Sequence, residues 1–150
     1  MNSRKKYKSV ARMVSTVHRY GYMHLSKLFE PYGLGRGQVK FLMVLYEENE
    51  QTQENMARTL KIDKTTTARA VKKLEDEGYV IRGPHETDRR SHIVKLTPKA
   101  KELEPVIRSI LDDWTTTLTA DFTEEEKELA LMLLKRMADN AVKKIQEKER

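Results

Sequence analysis

Residues 51–80 read QTQENMARTLKIDKTTTARAVKKLEDEGYV. Two helix starts are written into this stretch. Thr52 precedes a segment with Met56, Ala57 and Leu60 on one side, and Asp63 precedes a second segment. A threonine or aspartate ahead of an apolar-periodic run accepts a bond from the free amides of the first helical turn, so both are expected N-caps. Only a short break at Lys61-Ile62 separates the two helices. Gly78 closes the second, being the residue type that takes a left-handed stop without penalty. Two short helices joined by a tight turn make a helix-turn-helix.

The second helix has two unlike faces. At about 100° per residue, Thr67, Val71, Leu74 and Gly78 fall together and are expected to bury against the domain. Thr65, Thr66, Arg69 and Lys73 fall opposite, with Lys72 at the edge and Lys64 at the helix start. Short hydroxyls near a helix N-terminus, with a longer cation one turn on, suit insertion into a major groove. Hydroxyls bond phosphates or base edges, and an arginine reaches a guanine edge or a phosphate. Lys64, Thr65, Thr66, Arg69 and Lys73 are therefore the candidate DNA contacts of this helix. A lone charged stripe is more often a solvated face. The weight shifts here because the stripe lies on the second helix of a recognisable motif.

Downstream come two strand candidates, Tyr79–Arg82 and His92–Leu96, joined through His85-Glu86-Thr87-Asp88-Arg89-Arg90-Ser91. A hairpin tip has no core to join, so its arginines face water or a partner. Beside a groove-bound helix such a hairpin is a wing, and a narrow minor groove concentrates negative potential that favours arginine. Arg89 is expected at the tip, with Arg90 a further DNA contact. Asp88, an anion, is expected to brace the loop by pairing with Arg90. In isolation the same residues would read as a polar turn with a weak surface ion pair.

The flanks are helical. Val10, Val14, Val17, Gly21, Leu25 and Leu28 mark a long first helix that stops near Pro31 and Gly33, and Gly37 to Glu48 forms the next. Thr97-Pro98 opens a helix through Leu103, Ile107, Ile110 and Trp114, which Pro105 is expected to kink. Thr123 and Glu126 form a capping box for a last helix bearing Leu129, Met132, Leu133, Leu134, Met137, Ala141 and Ile145. The apolar stripes of the first and last helices exceed what one small lobe covers, so an obligate two-fold dimer is expected.

Composition narrows the function classes. The 150 residues are 35% charged and 38% apolar, which permits one modest core, and six glycines and four prolines favour long helices. A net charge of +6 fits a polyanionic partner. With no cysteine, disulfides, thiol redox sensing and cysteine zinc sites are excluded, and a reducing cytoplasm is the expected setting. MNSRKKYKSV at the N-terminus lacks the apolar core of a signal peptide. The five cations of its first twelve residues read as a solubilising helix start, or as an arm on DNA backbone. Neither a phosphate loop, a nucleophile elbow nor HExxH is present, and His18, His24, His85 and His92 lack metal-ligand spacing. Catalysis, a metal and a cofactor are not expected.

From about Leu34 to Pro98 the sequence resembles the MarR family of winged helix-turn-helix regulators. The resemblance is carried by TQENMARTL, then DKTTTARAVKKLEDEGYVIR, then TDRRSHIVKLTPKA, in that order and spacing. It implies a mainly α fold with a small β-hairpin wing. Within a single domain over 1–150, residues 34–98 form the DNA-binding lobe, and 1–33 and 99–150 the helical dimerisation lobe. It further implies a homodimeric repressor on palindromic double-stranded DNA, released by a small-molecule effector. Two departures stand out. Ala68 occupies a position where relatives often carry serine or threonine, and the cysteine of the family's thiol sensors is missing. Tyr20, His24 and Tyr32 lie where relatives form an effector cleft, although ordinary half-buried aromatics would look the same. The competing reading is a winged helix used only for protein assembly.

Overall fold

In the computed structural model, residues 3–84, 87 and 92–148 are described, without the side chains of residues 3–8 and 36. The order is α1 (Ser3–Phe29), a 3-10 turn (Glu30–Tyr32), α2 (Arg36–Glu47), β1 (Gln51–Thr52), α3 (Gln53–Leu60), α4 (Lys64–Asp76), β2 (Val80–Pro84), β3 (His92–Leu96), α5 (Pro98–Leu118) and α6 (Glu124–Lys148). The fold is mainly helical with a small antiparallel sheet ordered β1-β3-β2. The chain divides into two compact units, Met1–Ile110 and Leu111–Arg150.

The caps expected from sequence are present in the first unit. Thr52 accepts from the Asn55 amide at 3.0 Å and Asp63 from the Thr66 amide at 2.7 Å. Between them Lys61 takes the left-handed conformation at φ 55°, and Ile62 donates its amide to the Ala57 carbonyl at 3.0 Å. Gly78 does take a left-handed φ of 80°. It is nevertheless exposed, contrary to the helical-wheel expectation, because it lies past Asp76, where the 100° rule no longer applies. The remaining inward residues of α4, Thr67, Ala70, Val71 and Leu74, are buried. They share the core with Phe41, Leu42 and Leu45 of α2, Met56 of α3, and Val80 and Val94 of the sheet.

Two details differ from the sequence reading. β2 begins at Val80 and not Tyr79, since the Tyr79 amide donates to the Leu74 carbonyl at 2.9 Å and so finishes α4. β1 was not expected at all. It pairs Gln51 with Val94 and Thr52 with Ile93, and two residues are too few to show an alternation. α5 continues through Pro105 to Leu118, its first turn capped by Thr97, whose hydroxyl accepts from the Ala100 amide at 3.3 Å.

α1 buries only Gly21, Leu25 and Phe29 among its described side chains. Val10, Met13, Val14, Val17 and Tyr20 are about half exposed, at 46–55%. In the second unit, Thr123 and Glu126 close the capping box at 3.0 and 3.1 Å, and α6 buries none of its residues.

Gln51 is a buried polar group of the core with several partners. Its amide nitrogen donates to the Glu48 and Val44 carbonyls at 2.5 and 3.0 Å, and its oxygen accepts from Asn55 at 2.7 Å. One side chain thus serves the end of α2 and the start of α3. Gln51→Leu should lower unfolding free energy by about 1–3 kcal/mol, the cost of stranding buried polar partners. Denaturant melts at one fixed protein concentration check this, and an unchanged midpoint would refute the role.

Tyr46 provides a pH test. Its hydroxyl donates to the Ala100 carbonyl at 2.5 Å, tying α2 to α5. Burial, reinforced by the Glu104 charge, pushes the phenol up to about 12 from 10.0. The raised value means that the neutral form is favoured in the fold. The stabilisation is therefore complete below pH 10 and is lost as pH rises toward about 12. Tyr46→Phe should flatten the alkaline loss of stability relative to wild type, as measured by melts across that window.

Candidate nucleic-acid interface

The start of α4 is held by a double contact. Asp63 Oδ1 accepts the Thr66 amide and Oδ2 accepts the Thr66 hydroxyl, each at 2.7 Å. The Thr66 amide, then its hydroxyl, hold the Asp63 carboxyl below its ordinary range, so it is ionised and must be the acceptor. The single hydroxyl proton of Thr66 is thereby committed. Toward solvent Thr66 presents lone pairs, which accept from a base amino group but cannot donate to a phosphate oxygen while the cap is made.

Thr65 and Arg69 are exposed on the same side of the helix. Arg69 makes no ion pair with any described residue. Lys64, also exposed, lies 3.4 Å from Glu54. Lys73 leans back toward α2, with Nζ 3.8 Å from where a Cβ would stand on Gly35. Lys72 pairs with Asp76 at 2.7 Å and with Glu75 at 3.8 Å. The structure therefore gathers Thr65, Thr66 and Arg69, flanks them with Lys64, and sets Lys73 toward the α2 end. Asp88, Arg89, Arg90 and His85 lie outside the described residues, and with them the expected Asp88–Arg90 brace.

Sequence reasoning missed Arg82. On β2 its Nε and Nη2 donate to the two oxygens of Glu75 on α4, each at 3.0 Å, and Nη1 reaches Gln53 Oε1 at 3.5 Å. Glu75 raises the arginine and Arg82 lowers the carboxyl, each being the largest influence on the other. An acid on one element and a cation seven residues on, in another element, have no periodic relation that would reveal such a pair.

Elsewhere in the first unit, Lys27, Leu28, Pro31, Tyr32, Pro105, Val106, Ser109 and Ile110 line an open cleft of about 590 Å³. Tyr32 lies in it, whereas Tyr20 and His24 do not. Tyr79, which directly follows the α4 stop, donates its hydroxyl to the Tyr32 carbonyl. Among the described residues no group of three His, Cys, Asp or Glu could hold a metal ion.

These features have close counterparts. A family model for the MarR family matches residues 34–92. An uncharacterized HTH-type transcriptional regulator of Bacillus subtilis, YybA, is 37% identical over 112 residues, which are 75% of each chain. The chain belongs to the MarR family. Among solved structures, a MarR transcriptional regulator from Methanosarcina mazei superposes with a TM-score of 0.82 at 43% identity, over 91% of this chain and 98% of that one. A mutant of Escherichia coli MarR, crystallised with operator DNA, shares the fold at TM-score 0.78 and 22% identity, over 91% and 99% of the two chains. MarR-family membership makes the protein a helix-turn-helix transcriptional regulator and not an enzyme. No described helix is long and apolar enough to cross a membrane.

The cap predicts its own pH behaviour. Because the Asp63 carboxyl is depressed in the fold, its contribution is present above the ordinary value of 3.8 and is lost as pH falls through the lower folded value. Asp63→Ala should reproduce at neutral pH the loosening that acid produces in the wild type. Faster amide exchange at Thr65–Thr67 is the expected readout. Unaltered exchange would mean that the cap does not hold the helix start.

Proposed function

We propose that the protein is a homodimeric repressor that binds palindromic double-stranded DNA sequence-specifically, with α4 in the major groove and the hairpin as a wing. The observation that carries this reading is the exposed group of Thr65, Thr66 and Arg69 on the second helix of the motif, with no acid pairing Arg69 among the described residues. Lys64 and Lys73 serve as flanking contacts, Arg89 and Arg90 as minor-groove contacts, and Asp88 as the brace of the loop. A net charge of +6 and the operator complex of the E. coli MarR mutant support DNA as the partner.

Residues 34–98 are the reading lobe, and 1–33 with 99–150 the dimerisation segments. Dimerisation would cover the half-exposed apolar side chains of α1, and those of α6 at Leu129, Leu131, Met132 and Leu134. A small molecule with an apolar body, seated in the cleft that includes Tyr32, would act as the releasing effector. The cytoplasm, where DNA and reductant are both present, is the proposed place of action.

Two measurements test the core of this. Selection from a random duplex pool should enrich a palindrome whose binding weakens steeply with salt, because condensed counterions are released. Arg69→Ala should then cost about 1–3 kcal/mol and relax preference at one position per half-site. Equal affinity of this variant would show that α4 presents another face. Sedimentation should show a dimer, and a stably folded monomer at micromolar concentration would overturn the assembly.

A further inference from the structure

Arg82 stands on the inward face of β2, opposite buried Val94 and two residues along from buried Val80. From there its guanidinium crosses to α4 and grips both Glu75 oxygens at 3.0 Å. A third nitrogen lies 3.5 Å from Gln53, the first residue of α3. One side chain therefore joins the strand that leads into the wing, the helix proposed to read DNA, and the first helix of the motif. Both partners are about 70% shielded, with side-chain exposures of 29% and 30%. The two parallel bonds fix direction as well as distance, which a single ammonium contact cannot do.

We propose that Arg82 is a positioning residue: its forked pair with Glu75 sets the angle between the hairpin and α4, so that wing and reading helix meet one DNA site together. The inference rests on the DNA-binding reading above. Val71 and Leu74 of α4 and Val80 and Val94 of the sheet are all buried, so apolar burial of these elements does not rest on the pair. What the pair supplies is preorganisation. Without it the hairpin must be oriented during binding, and that ordering weakens the complex. The cost falls on sites that need both elements at once and spares contacts to DNA backbone by either alone.

The test uses the full chain and a duplex that the wild type enriches from a random pool, beside a scrambled duplex of equal length at matched salt. Arg82→Lys keeps the charge and loses the fork, while Arg82→Gln loses both. Each should melt near wild type yet bind the selected duplex roughly tenfold more weakly, the size of a coupling between contacting residues. Affinity for the scrambled duplex should change much less. The double variant Glu75→Arg with Arg82→Glu should recover most of the selected affinity if it folds. Wild-type affinity in Arg82→Lys would reduce the role to charge and overturn the proposal. So would an equal loss on both duplexes accompanied by a large fall in melting temperature, which marks a merely structural role. If the wild type enriches no duplex, the DNA-binding reading itself fails and this inference falls with it.

Discussion

Everything in the helix-turn-helix depends on the short turn between α3 and α4. Lys61 accepts a left-handed backbone, Ile62 bonds back to α3, and Asp63 caps α4 within three residues. A turn this short leaves almost no freedom in the direction of the second helix. With that direction set, Thr67, Ala70, Val71 and Leu74 are turned into the core, and Thr65, Thr66 and Arg69 face out.

The features legible in the sequence were those governed by local chemistry. Thr52, Asp63, Thr97 and Thr123 act on amides within three residues of themselves, so each could be read one at a time. The burial of α4 followed from a helical period sustained over several turns. Gly78 shows where that logic ends, since a period means nothing beyond the last helical residue. β1, Gln51 and the Arg82–Glu75 pair were illegible for a related reason. Each is defined by a partner on another element, and neither period nor spacing reports which elements come to adjoin.

Thr66 carries a lesson about assigning contacts by residue type. Read from sequence, it is a hydroxyl that can donate or accept. In the fold its proton belongs to Asp63, and the residue is an acceptor toward solvent. The same applies to the cations of α4. Lys72 is occupied by Asp76 and Glu75 and Lys64 is near Glu54, whereas Arg69 and Lys73 are held by no acid among the described residues. Counting lysines on a face overstates the charge that a partner would meet.

The two-residue strand β1 bears on how exposed the sheet is to pairing with another strand. It covers β3 at Ile93 and Val94, and the Asn49 side chain accepts the Leu96 amide at 2.9 Å, so that side of the sheet has few backbone groups left to recruit another strand. The opposite border, β2, ends in Pro84, which has no amide to donate. Edge-to-edge stacking of sheets is thereby discouraged at both borders. Blunted strand edges would favour helix packing over sheet pairing if copies of this chain associate, and helix packing can close on itself at a fixed number of chains.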